Sequence, residues 1–181
     1  MRRSLVVAAL VAACRSAPAA APPAPGTEGP VVAEPAPVRA PLCDALDRYL
    51  AAAPDDFQAL VGARTDYDYS AYHSTDVAPG ATRCVVDELD AEDQAPITWS
   101  FDCIYLETDD AEAARAAYQA LVADVRACLP GWGGGESTQD DGYDSGHVVT
   151  ALSHPDAPAY LTIWDAVLVG RHRVRFSLSP N

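Results

Sequence analysis

The chain has 181 residues, of which 12 are basic and 26 acidic, and its formal net charge is -14. A protein this acidic lacks the cationic surface that neutralises phosphate, so we expect no nucleic acid among its partners. Hydrophobic residues make up 49% of the sequence, which is too high for a wholly disordered chain. Because no run of about 20 apolar residues occurs, the sequence predicts no ordinary transmembrane helix.

The first residues have the order of an export signal. Arg2 and Arg3 precede a short apolar run, and small residues lead into Cys14. The motif Val11-Ala12-Ala13-Cys14 resembles the lipobox of bacterial lipoproteins. That resemblance implies cleavage before Cys14, lipidation of Cys14 and attachment to a membrane through the lipid anchor.

The lipobox resemblance also implies a location. The protein is expected in the bacterial cell envelope, lipid-anchored at the outer membrane, because Arg15 rather than aspartate follows the cysteine. The alternative is a secreted or periplasmic soluble protein, cut near Ala19 by an ordinary signal peptidase.

A proline-rich segment separates the signal from the remaining sequence. Residues 15–41 contain eight prolines among 27 residues. Proline fixes φ and removes a backbone donor, so the segment favours an extended spacer of about 3.1 Å per residue. A ligand for a proline-recognising domain is the alternative. We therefore predict a signal peptide at 1–13, the lipidated cysteine and Pro/Ala-rich tether at 14–41, and a single globular domain at 42–181.

Hydrophobic periodicity predicts an α+β fold for the domain. Polar segments at 64–79 and 133–146 are interpreted as loops, and Asp109 is expected to cap the second helix, with Glu112 at the capping-box position. The predicted fold is an antiparallel β-sheet of about five strands with two helices packed on one face, in the order α-β-β-α-β-β-β. No internal repeat is evident. The predicted elements are helices at 42–53 and 110–129 and strands at 83–89, 97–106, 147–153, 160–169 and 171–178.

Four cysteines remain after Cys14, an even number that predicts two disulfides in an exported domain. Four cysteines allow three connectivities. A symmetric first hairpin places Cys84 opposite Cys103 and matches apolar with apolar residues on one face. This leaves Cys43 and Cys128 to join the two helices. Zinc binding is the alternative, but no CxxC pair is present, so no metal site is predicted.

Three groups of polar residues are candidate ligand-binding positions. The first loop, 66–73, could stack on sugars. The second loop, 140–147, has carboxylates near glycine turns, which suit a calcium ion, but it lacks the EF-hand spacing. The arginines of the last strand could hold an anion. The simpler interpretations are favoured: solvated loops, and arginines that balance carboxylates on an exposed sheet face. The groups are Asp66, Tyr67, Asp68, Tyr69 and His73; Asp141, Asp144 and His147; and Arg171, Arg173 and Arg175.

No catalytic motif is recognisable. The sequence has no GxSxG elbow, no HExxH and no glycine-rich loop with GK[ST], so no catalytic residue and no cofactor is predicted. We expect a non-catalytic binding or scaffolding module whose partner is an envelope protein or a glycan. The alternatives are an envelope hydrolase that uses Asp and His of the polar loops, and a carbohydrate-binding module that uses the Tyr/Asp loop.

Overall fold

The computed structural model describes residues 40–66, 68, 70–89, 98–139 and 147–181, which form two helices and eight strands with short 3-10 turns. All of them belong to the second of the chain's two compact units, 38–181. The helices are α1 (Pro41–Ala52) and α2 (Ala111–Cys128), and the strands are β1 (Val61–Arg64), β2 (Ala71–Ser74), β3 (Arg83–Leu89), β4 (Thr98–Thr108), β5 (Gly133–Gln139), β6 (His147–Ser153), β7 (Ala159–Leu168) and β8 (Arg171–Pro180).

The eight strands form one antiparallel sheet in the order β1-β2-β3-β4-β8-β7-β6-β5. Each helix is followed along the chain by four strands, and each set of four pairs in sequence order. The two sets meet where β4 pairs with β8. The topology is therefore a helix and a four-stranded meander, repeated once, although the sequence shows no repeat.

The prediction of about five strands is wrong, because the sheet has eight. The missed strands are β2, in the segment 64–79 predicted as a loop, β5, in the glycine-rich segment predicted as another loop, and β1, which precedes the first of these segments and shares only Arg64 with it. All seven residues of β5 are exposed at the sheet edge, so no apolar alternation marks this strand. The register of β1 with β2 is irregular, and each has only four residues.

The cap of α2 also differs from the prediction. Asp110, not Asp109, is the N-cap residue, and its carboxylate accepts hydrogen bonds from the backbone N–H groups of Glu112 at 2.9 Å and Ala113 at 3.0 Å. Glu112 therefore lies one position too early for a capping box, which requires the third helical residue.

Two disulfides are present, and they have the pairing that the sequence favoured. One joins Cys43 of α1 to Cys128 of α2, with 4.8 Å between Cα atoms. The other joins Cys84 of β3 to Cys103 of β4, which are directly opposite each other in the hairpin. One bridge therefore ties the two helices, and the other ties two neighbouring strands.

Aromatic rings fill the core between the helices and the sheet. The Phe101 ring lies 4.3 Å from that of Tyr49, 5.9 Å from that of Phe57 and 6.3 Å from that of Phe176, measured between centroids. All four side chains are completely buried. Because Tyr49 belongs to α1 while Phe101 and Phe176 belong to β4 and β8, this cluster fastens the first helix to the sheet where the two halves meet.

Burial of Tyr49 makes the stability of the protein sensitive to alkaline pH. Loss of solvation, followed by the charge of Asp76, raises the pKa of Tyr49 to about 12. An unfolded tyrosine has a pKa of about 10, so between pH 10 and 12 the unfolded state loses its proton first. Below pH 10 the ionisation of Tyr49 does not reduce stability. Between pH 10 and 12 we expect it to lower the free energy of unfolding by about 1.4 kcal/mol per pH unit.

Urea unfolding at a series of pH values measures this effect. Tyr49→Phe is the matched control, because it keeps the ring and removes the titrating group. The variant should lose stability less steeply than the wild type above pH 10, and equal slopes for the two proteins would contradict the assignment.

The turn between β7 and β8 contains a strained valine. Val169 and Gly170 have φ values of 52° and 75°, the signs of a type I′ hairpin turn, and the Val169 side chain is 97% exposed. A β-branched residue is disfavoured in the left-handed region, whereas asparagine tolerates it. We expect Val169→Asn to raise the free energy of unfolding by about 1 kcal/mol, measured by urea denaturation. Val77→Asn, at another exposed valine, should give no such gain.

Candidate functional site

The face of the sheet opposite the helices carries a cluster of charged and aromatic side chains. Side chains alternate along a strand, so the positions between the core residues of the four central strands point to this second face. We call it the open face. Its central residues are Arg83, Val85 and Asp87 of β3, Ser100, Asp102 and Ile104 of β4, Arg173, Arg175, Ser177 and Ser179 of β8, and Tyr160, Thr162 and Trp164 of β7.

Asp102 and Arg175 form the centre of the open face. The Arg175 Nη1 lies 3.3 Å from Asp102 Oδ1, and the Ser100 hydroxyl donates to Asp102 Oδ2 at 2.7 Å. Asp102 is only 6% exposed, and these two partners compensate for the cost of burying its carboxylate. The Arg175 guanidinium also lies over the Trp164 ring, 5.5 Å from its centroid. These contacts hold an arginine, an aspartate and an indole in fixed relative positions.

The neighbouring arginines are paired as well. Glu107 of β4 accepts from Arg173 at 2.7 Å and from Arg83 at 3.4 Å, and its backbone carbonyl accepts from Arg171 at 3.4 Å. Arg173 and Arg175 therefore balance carboxylates, which is the role that the sequence favoured for them. Arg171 is exposed at the hairpin end of β8, and the only hydrogen bond of its side chain among the described residues is to the backbone carbonyl of Glu107.

Asp87 is less completely neutralised. Burial, then the nearby charges of Asp102 and Asp68, raise the pKa of Asp87 above its usual range, while Ser70 and Arg175 oppose this shift. Within the described part of the chain, no arginine forms an ion pair with Asp87. The only hydrogen-bond partner of the Asp87 carboxylate there is the Ser70 hydroxyl, at 3.5 Å. This carboxylate therefore retains capacity to accept hydrogen bonds from a ligand.

The centre of the open face contains two depressions. Both depressions are lined by Asp87, Asp102 and Arg175. The first cleft, of about 390 Å³, combines three aspartates and three arginines over a small apolar floor. The second cleft, of about 220 Å³, combines an aromatic pair with hydroxyl and charged groups. The first is lined by Asp68, Ala71, Arg83, Val85, Asp87, Asp102, Ile104, Arg173 and Arg175, and the second by Asp87, Ser100, Asp102, Tyr160, Thr162, Trp164, Arg175, Ser177 and Ser179.

The first predicted loop contributes one residue to this site. Asp68 lines the first cleft, and its carboxylate accepts from the Ser70 backbone N–H at 2.9 Å and hydroxyl at 2.7 Å, which lowers its pKa. Asp66 and His73 are exposed, and neither lines the two clefts. Tyr67 and Tyr69 lie outside the described residues.

Of the second predicted group, only His147 is among the described residues. His147, at the start of β6, is buried, and its ring meets that of Trp164 edge-on at 6.5 Å. Asp141 and Asp144 lie outside the described residues. Five strand spacings separate β2 from β6, about 24 Å along the sheet, so His73 and His147 do not share a site.

Three of the candidate residues, Asp68, Arg173 and Arg175, line the clefts. Four other lining residues belong to strands and were not among the candidates: Asp87, Asp102, Tyr160 and Trp164. A signal was present in the predicted hairpin, whose register already places Asp87 opposite Ser100 on the polar side. A hydrogen-bonded pair outside the clefts was also not among the candidates: His172 Nδ1 lies 2.9 Å from Asp165 Oδ1.

Other kinds of site find no support among the described residues. They contain no group of three or more His, Cys, Asp or Glu side chains arranged to hold a metal ion. No helix among them is long and apolar enough to cross a membrane. No protein-family model, curated protein or solved structure matches the chain.

Proposed function

We propose that this protein is a lipid-anchored, non-catalytic binding module of the bacterial cell envelope that recognises its partner with the open face. Cys14 carries the anchor, residues 15–41 act as the spacer, and 42–181 bind the partner. The lipobox resemblance supports the anchor. Two disulfides in one small domain support an oxidising compartment, as in the periplasm or outside the cell.

The open face is the observation that carries the binding proposal. Both helices pack on the other face, where the apolar core lies. Burying the Asp102 carboxylate is costly unless its partners compensate. A buried aspartate is therefore not expected on a sheet face that contacts only solvent. Ligand sites typically combine a concave surface and aromatic groups with a few fixed polar groups, which the second cleft does.

The separation of His73 and His147 favours a binding module over an envelope hydrolase. A hydrolase built from the two loops needs their histidines and carboxylates to converge on one substrate. His73 and His147 lie on strands far apart in the sheet. No observation in the described residues favours catalysis over binding.

Metabolic labelling with a fatty-acid analogue tests the anchor. The wild-type protein should be labelled and recovered with envelope membranes, because the acyl chains partition into the bilayer. Cys14→Ala should remain unlabelled and uncleaved at this position. Labelling of the variant equal to that of the wild type would refute the anchor.

Cross-linking and recovery from envelope extract test the role of the open face. Ser179→Arg places a bulky charged side chain in the second cleft, whereas Gln119→Arg makes the same charge change on the exposed surface of α2. The wild type and Gln119→Arg should recover the same partner, and Ser179→Arg should lose it. Equal recovery by all three proteins would refute the open face as the binding surface.

A further inference from the structure

We infer that the second cleft binds a neutral oligosaccharide, a ligand class that rests on the proposed function of the open face. The inference depends on a combination of groups in this cleft. Two aromatic rings, two carboxylates, one guanidinium and several hydroxyl groups line a single depression. A sugar presents apolar C–H surfaces together with hydroxyl groups that both donate and accept hydrogen bonds, so it can use each of these groups.

The aromatic pair supplies the apolar part of such a site. Tyr160 and Trp164 are four residues apart on β7 and project to the same face, which separates them by about 13 Å along the strand. Tyr160 is 41% exposed, one of the few large apolar side chains so exposed in the described residues. The spacing exceeds the width of one sugar ring, so the ligand that contacts both aromatic residues is an oligosaccharide.

Trp164 is held in a fixed orientation. Its Nε1–H donates to the Thr162 hydroxyl at 2.9 Å, the Arg175 guanidinium lies over its ring, and the ring of His147 contacts it edge-on. A side chain already fixed in this way loses little conformational entropy when a ligand binds. This pre-organisation is typical of a binding surface rather than of an adaptable solvent-exposed residue.

The polar groups of the cleft can both accept hydrogen bonds from ligand hydroxyls and donate hydrogen bonds to them. Asp87 lacks an ion-pair partner among the described residues and can accept hydrogen bonds from ligand hydroxyls. Arg175 lines the cleft, and its guanidinium can donate hydrogen bonds to ligand oxygens. Ser177 and Ser179 add hydroxyls that can donate or accept.

The charges argue against the other ligand classes. Asp87 and Asp102 in the cleft, and a formal charge of -14 on the whole chain, repel polyanions such as nucleic acid. The described residues hold no cluster of metal-ligating side chains, and the abundance of charged and hydroxyl groups disfavours an apolar peptide. A neutral polyhydroxylated ligand satisfies the donors and acceptors without introducing a net charge.

Titration calorimetry of the full-length protein tests the inference. The protein is kept in a detergent without a sugar head group, and the probes are tetramers of N-acetylglucosamine, β-linked glucose and α-linked glucose. At least one probe should bind saturably at millimolar concentration or below. The dissociation constant should rise about tenfold in Tyr160→Ala, a loss similar to that of one aromatic contact, and a similar rise is expected in Asp87→Asn.

His73→Ala is the control, because His73 is exposed and lies outside the second cleft. Its affinity should equal that of the wild type, and circular dichroism should show that all variants are folded. Absence of saturable binding to all three probes, or equal affinity of Tyr160→Ala and wild type, would overturn the inference. If recovery from envelope extract still depends on Ser179 in that case, the oligosaccharide is wrong while the proposed function stands.

Discussion

Replacing Cys43 and Cys128 together with alanine is expected to lower the free energy of unfolding by about 4.5 kcal/mol. The bridge joins residues 85 apart in sequence, so its removal frees a long closed loop in the unfolded chain. Both cysteines are buried between α1 and α2, so the alanine variant also loses some packing. Urea denaturation of the wild type and the double variant, both without reductant, measures the difference.

Replacing Cys84 and Cys103 with alanine provides the matched comparison. These residues are only 19 apart in sequence, and the same loop-entropy argument gives a loss of about 3.3 kcal/mol. Loss of either bridge should leave the other intact, as peptide mapping without reductant can verify. A larger loss for the short-loop pair would contradict the assumption that chain entropy sets the order.

Phe101→Ala is expected to lower the free energy of unfolding by about 4 kcal/mol, measured by urea denaturation. Phe101 is completely buried and contacts the rings of Tyr49, Phe57 and Phe176. Its removal leaves a cavity between α1 and the strands where the two meanders meet, and the rigid sheet can collapse only partly into that space.

Tyr160→Ala is the control for this effect, because it also truncates an aromatic residue of the sheet. Tyr160 lies on the open face and is 41% exposed, so the expected loss is below about 1 kcal/mol. Similar losses for Phe101→Ala and Tyr160→Ala would mean that the core does not lie between the helices and β4. The comparison thus separates the stabilising face of the sheet from the proposed binding face.

Strands with one buried face could be predicted from the sequence alone. β3, β6 and β8 begin at the predicted residues, and β4 and β7 begin within one residue of prediction, because apolar and polar residues alternate along them. β5 could not be predicted in this way. Its sequence Gly-Gly-Gly-Glu-Ser-Thr-Gln is exposed on both faces, and the strand is held by backbone pairing with β6 and by hydrogen bonds from Arg115 and Arg126 of α2.

The candidate site was beyond prediction for a different reason. Asp102 and Arg175 are 73 residues apart, and they approach each other only because β4 pairs with β8. That pairing brings together the last strands of two meanders, and no local pattern in the sequence specifies it. By contrast, the Cys84–Cys103 register depends on a local hairpin, so the residues around it were enough to favour it.

The Cys43–Cys128 bridge has a mechanical consequence. The two halves of the domain contact each other through the β4–β8 pairing, and this bridge adds a covalent link between a helix of each half. Cys43 is only the third residue of α1. A pulling force applied from the amino-terminal side is therefore transmitted through the disulfide to α2, close to the point where the force enters the domain. The helix α1 cannot peel away turn by turn, and the load is shared by both halves.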